Sequence, residues 1–225
     1  MSIDQTQQLT TDDGPRTGFR QRVRIRFTKE DDLRWLGHRD LMRLWERLFR
    51  RAAVPLSMTE GFHPKPRINF PSALAVGIAG LDELLEVDLA EPLSADSLRS
   101  TVVPQTPPGM NIKAIEVLPA PDHKAQVKFV TFEVQVPADR QPALAQRMAW
   151  LLAQSTFPIQ REGRKTALEL RPLIAELELD HDILRMRLRV ESEGSARPRE
   201  VLQALNIENL EYEGFFLTRT RVEIE

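Results

Sequence analysis

Arg22-Val23-Arg24-Ile25-Arg26-Phe27 alternates arginine with an apolar residue without a break. A period of two puts Val23, Ile25 and Phe27 on one face and the three arginines on the other, the pattern of a strand with one buried face. Over residues 38–53 the period changes. Leu41, Leu44, Trp45, Leu48 and Phe49 recur at helical spacing, and Arg39, Arg43, Arg47 and Arg50 share the opposite side. Pro55 stops that helix. The switch from strand to amphipathic helix sets the frame for the rest of the chain.

Working outward, residues 57–67 form a loop rich in Gly61, Pro64 and Pro66 that leads into a strand at 67–70. Residues 84–89 alternate again, burying Leu85, Val87 and Leu89 and exposing Glu86 and Asp88. A short helix near 95–102 and a strand near 111–118 complete a β-α-β-β-α-β order, the split βαβ arrangement. Residues 119–124, with Pro119 and Pro121, read as a linker. The second half repeats the order loosely. A strand at 130–136 and a helix at 142–154 precede a hairpin around Glu162-Gly163-Arg164 and another around Asp180-His181-Asp182. A helix at 198–205 opens on Pro198, and 212–224 reads as the last strand. RMRLRV at 185–190 echoes RVRIRF at 22–27. The expectation is an α+β protein of two stacked, tandem ferredoxin-like (βαββαβ) domains, at 19–119 and 125–225, after a disordered tail at 1–18.

The chain has 225 residues, 41% of them hydrophobic and 28% charged, the composition of a folded domain or two. It has no cysteine, which rules out disulfides, thiolate nucleophiles, iron–sulfur ligation and cysteine-based zinc sites. No apolar run reaches the roughly 18 residues of a membrane span, and residues 1–18 lack the apolar core of a secretory signal. A cytoplasmic protein without a membrane partner is expected. The net charge of −2 conceals an asymmetry. Residues 16–67 hold 14 Lys and Arg against 6 Asp and Glu, whereas the remainder holds 17 against 27. A basic segment on an acidic body is the footprint of an anion-facing surface.

Four groups of residues could carry chemistry. Arg22, Arg24 and Arg26 would lie on the open sheet face and could meet phosphates, or pair with Glu86 and Asp88 across the sheet. Arg39, Arg43, Arg47 and Arg50 form a helix stripe with only Glu46 nearby, and like charges at that spacing repel. His38, His63 and Asp40 are candidates for acid–base work or a two-histidine site, although no spacing matches a metal motif, and no metal or cofactor is expected. His123 and His181 fall in turns. In the loop at 60–67, Phe62 and His63 precede Lys65 and Arg67, which alternate with stiffening prolines.

Phe27-Thr28-Lys29, the run from Leu33-Arg34-Trp35-Leu36-Gly37-His38 to Arg43, and Gly61-Phe62-His63-Pro64-Lys65-Pro66-Arg67 resemble the radical-SAM-linked protein family. This is a bacterial domain of unknown function fused to, or encoded beside, a radical SAM protein. Leu170-Arg171-Pro172-Leu173-Ile174 and Arg197-Pro198-Arg199-Glu200-Val201-Leu202 look like its later signatures. Many members read Asn-Pro-His-Pro where this chain has His63-Pro64-Lys65-Pro66. The resemblance implies a radical SAM protein as partner. This chain has no CxxxCxxC motif of its own. Tandem ferredoxin-like domains with a histidine near the first helix also look like CRISPR repeat-processing endoribonucleases, whose glycine-rich C-terminal loop is absent here. The expectation is a non-catalytic accessory protein that binds structured RNA or presents a substrate. The alternatives are a metal-independent endoribonuclease with a histidine base, and a protein–protein adaptor.

Overall fold

A computed structural model of the chain describes residues 20–119, 124–163, 166–191 and 194–225. The expected tail, Pro121 and His123 of the linker region, and Arg164 of the expected turn lie outside the described residues. The chain is α+β. Its first half runs β1 (Gln21–Lys29), α1 (His38–Arg51), β2 (Ile68–Asn69), β3 (Ala79–Leu89), α2 (Ala95–Val102) and β4 (Ile112–Val117). The second half begins with β5 (Val127–Gln135), α3 (Gln141–Ala153) and the short ribbon of β6 (Pro158–Ile159) and β7 (Leu168–Glu169). It continues through β8 (Ile174–Asp180), β9 (Ile183–Glu191), β10 (Gly194–Ser195), α4 (Pro198–Ala204) and β11 (Thr218–Ile224).

All strands except the β6–β7 ribbon join one mixed, nine-stranded sheet. Across the first half the order is β4-β1-β3-β2, every neighbour antiparallel. Across the second it is β11-β5-β9-β8, again antiparallel. The halves are not stacked as expected. They lie edge to edge, because β11 pairs in parallel with the start of β3 through Thr218↔Ala79 and Arg219↔Gly80. The expected strand at 84–89 is the end of a longer β3, whose first residues supply that edge. Gly80 is required there: a Cβ on it would lie 2.5 Å from the Glu83 carboxylate. The expected final strand at 212–224 starts only at Thr218. A 3₁₀ helix, Glu208–Glu213, takes the earlier residues, and Gly214 at φ 94 closes it.

The RVRIRF alternation decides the packing. Val23, Ile25 and Phe27 are fully buried and face Val87 and Leu85 on β3. α1 lies on that face through Leu41, Trp45, Leu48 and Phe49, with the Trp45 ring edge-on to Phe27 at 4.9 Å. A second apolar cluster fills the second half around Phe132, Leu151, Met186, Leu188 and Leu210. Leu74 and Ile78, from the segment between β2 and β3, join this second cluster. The two halves therefore interlock as well as share one sheet.

At the seam a charged group is enclosed. Lys29, Glu83 and Arg219 are 1%, 3% and 2% exposed. Arg219 forks onto both Glu83 oxygens and also donates to the Ser72 hydroxyl at 2.9 Å and the Ala73 carbonyl at 3.2 Å. The Lys29 ammonium donates to the Arg34 carbonyl at 3.2 Å. Burial pushes the Lys29 ammonium below its usual 10.5; Glu83 pulls it upward and the Arg219 charge lowers it further.

Candidate nucleic-acid interface

α1 turns its arginines outward because its apolar positions are taken up by the core. At 3.6 residues per turn, Arg39, Arg43, Arg47 and Arg50 fall within an arc of about 80°. All four are exposed. Arg43 lies 3.7 Å from Asp40, one turn away. Among the described residues, Arg39, Arg47, Arg50 and the adjacent Arg51 make no ion pair or side-chain hydrogen bond. Arg50 and Arg51 sit in the last turn, where the helix dipole favours cations. Arg39 sits in the first turn, where the dipole opposes it, so the helix itself does not account for its charge.

The strand arginines are arranged differently. Arg22 reaches Asp88 at 2.9 Å, Arg24 reaches Glu86 at 2.9 Å, and Arg26 reaches Asp82 at 2.7 Å and the Val222 carbonyl at 3.1 Å. Glu86 and Asp88, expected to be exposed, are buried, and Glu86 also accepts from the Ala125 backbone at 3.1 Å. The echo strand repeats the device. Arg185 bridges Glu133 and Glu178, while Arg187 bridges Glu223 and Glu176. The hydrogen bond from Arg187 holds the Glu223 carboxyl below its usual value, against a smaller effect of burial. Both arginine strands thus form ion-pair ladders. Arg22, Arg24 and Arg26 serve the sheet and do not stand free for phosphate.

Residues 57–67 fold back on themselves as a finger. Thr59 N–H donates to the Lys65 carbonyl at 2.8 Å, and Arg67 N–H donates to the Ser57 carbonyl at 2.9 Å. Its base is fixed to β3, where Ser57 N–H meets the Asp88 carbonyl at 2.8 Å. Gly61 takes φ 116 at the tip, which places Phe62 fully in solvent. His63 and Lys65 are exposed beside it. Arg67 departs from expectation. Its Nε donates to the Met58 carbonyl at 3.0 Å, so the guanidinium clasps the base of the finger.

The histidines do not assemble. His38 opens α1 and packs edge-on against Phe70 at 5.5 Å. His63 lies on the finger, which follows the other end of a helix about 21 Å long. Asp40 turns toward Arg43. Among the described residues, no group of three His, Cys, Asp or Glu could hold a metal ion. His181 sits at φ 53 in the β8–β9 turn, 2.7 Å from Asp180.

One feature escaped the sequence pattern. Trp35 and Phe216, 181 positions apart, meet edge to face at 6.4 Å where the halves join. The Arg34 guanidinium stands 4.8 Å from the first ring centre and 4.1 Å from the second. Arg34 Nε is buried without a hydrogen-bond partner among the described residues, so the aromatic faces hold this cation. No local period could have joined these residues. The sole signal was an apolar Trp35 outside the helical stripe.

The chain belongs to the family described as "Uncharacterized protein conserved in bacteria" (DUF2344), whose model matches residues 22–198. The match spans β1 and α1, the finger, the seam segment and the echo strand, and ends on the first residue of α4. No curated protein matches the chain. No helix among the described residues is long and apolar enough to cross a membrane.

Proposed function

We propose that this DUF2344 member is a non-catalytic accessory protein that binds structured RNA and presents it to a separate enzyme. One observation carries the reading. The arginines of both ladder strands are matched by carboxylates, whereas Arg39, Arg47, Arg50 and Arg51 on α1 are left without partners among the described residues. Apart from the dipole effect at Arg50 and Arg51, a structural surface gains nothing from concentrated, unpaired cations, whereas a bound polyanion gives all of them a partner. The finger adds an exposed aromatic and Lys65 to the same half of the molecule, the pairing of stacking ring and cation that single-stranded segments of RNA use. Resemblance at residues 27–29, 33–43 and 61–67 supports a radical SAM protein as the enzyme served. The strand order of each half supports two ferredoxin-like units as the scaffold.

The finger gives a direct test. Phe62 buries no surface, so Phe62→Ala should leave the melting temperature unchanged within about 1 °C while weakening RNA binding about tenfold. An unchanged affinity in a gel-shift titration would remove the finger from the interface. The nuclease alternative is tested separately. With His38 against Phe70 and His63 on the finger, the intact protein should release no RNA fragments between about pH 6 and pH 8, a span that brackets the imidazole pKa. Cleavage that rises with pH and disappears in His38→Ala would replace the accessory reading with an endoribonuclease.

A further inference from the structure

The seam opens onto a cleft of about 600 Å³ whose lining includes Trp35, Gly77, Gln203, Glu208, Tyr212 and Phe216. We propose that this cleft takes an unpaired nucleobase of the RNA whose backbone follows α1; the inference rests on the RNA reading above. The volume lies within the range of sites for small ligands. Its aromatic walls are displayed at a cost, with Trp35 53%, Phe216 38% and Tyr212 91% exposed. Two of them are also pre-ordered. Arg34 packs against both the Trp35 and Phe216 rings, so stacking a planar ring on either loses little further entropy. Gly77 keeps the floor low. A Cβ there would stand 3.2 Å from the Trp35 ring and 3.3 Å from Arg199, and its φ of 87 disfavours any side chain.

The polar groups select a base and not a phosphate. Arg199 is engaged by Glu211 at 2.5 Å and 2.9 Å, which leaves no free cation on that wall. The Gln203 amide and Glu208 carboxylate make no side-chain hydrogen bond among the described residues. An amide and a carboxylate can read the donors and acceptors of a base edge, whereas Glu208 would repel a phosphate. The phosphates have their own site next door. Trp35 precedes Arg39 by four residues, and the intervening Gly37 faces Val76, the neighbour of Gly77. The first turn of α1, which carries Arg39, therefore adjoins the segment that forms the floor of the cleft.

The test uses two RNA hairpins that differ only by one bulged adenosine, titrated by fluorescence anisotropy against the full chain. Wild type should bind the bulged hairpin about tenfold more tightly. Tyr212→Ala, at a position too exposed to affect folding, should remove most of that preference. Arg47→Glu, away from the cleft, should weaken both hairpins equally. Equal wild-type affinities that still depend on Arg47 would overturn the base pocket and leave the RNA reading standing. Tyr212→Ala with the preference intact would also overturn the pocket. Failure to bind either hairpin would remove the RNA reading and this inference with it.

Discussion

Glu83→Gln should destabilise the protein by about 3–5 kcal/mol, the usual result of removing one partner from a buried ion pair. The loss comes from the charges left behind. Arg219 and Lys29 would remain enclosed as two cations with no carboxylate between them, each already stripped of water. Because Arg219 belongs to β11 and Glu83 to β3, the damage falls on the strand contact that joins the halves. Lys29→Met behaves oppositely. It removes the surplus cation, keeps the Arg219–Glu83 fork and fills similar volume, so stability should hold or rise. Urea unfolding of the two variants beside wild type checks both signs. A loss below about 1 kcal/mol for Glu83→Gln would show that the seam charges are solvated and do not fasten the halves.

The sequence made some of this legible and hid the rest for identifiable reasons. Val23, Ile25 and Phe27 could be assigned to a buried face because period-two alternation over six residues fits a half-buried strand and does not fit a helix. The helix at 38–51 was equally open, its apolar positions falling on one side. The start of β3 was not. Ala79-Gly80-Leu81-Asp82-Glu83 breaks alternation, because Glu83 is turned inward to meet Arg219 and Gly80 makes room for it. That contact joins residues 136 apart, and no local pattern encodes it. The start of β11 was misplaced for a local reason. Glu211 and Tyr212 look compatible with a strand, but Gly214 in the left-handed region closes a 3₁₀ turn before it.

The candidate interface divides along the same line. The helical arginine stripe needed only spacing, since residues three and four apart share a face wherever the helix sits. The strand arginines needed the register. Arg22↔Asp88, Arg24↔Glu86 and the shift after Phe27 are set by tertiary pairing, and they turn an apparent phosphate-binding face into a ladder. Arg67 looked free after Pro66 and is instead tied to the Met58 carbonyl by the fold of the finger.

Charge reversal on α1 should have the largest effect on binding. Arg43→Glu with Arg47→Glu removes two charge-assisted phosphate contacts worth about 1.5–3 kcal/mol each, and sets two carboxylates against the backbone. Affinity for a structured RNA should fall about 100-fold or more. The helix itself should survive, since both positions are exposed and only the long Asp40–Arg43 contact is lost. Circular dichroism with an unchanged melting temperature would separate lost contacts from lost folding.

The most direct test is the salt dependence of wild-type binding to structured RNA. If Arg39, Arg43, Arg47 and Arg50 each neutralise a phosphate, log K should fall against log salt with a slope of about −3 to −4, and the double charge reversal should flatten it by about 2. A slope near zero, or the same slope in the charge-reversed variant, would contradict the assignment of α1 as the RNA-binding surface.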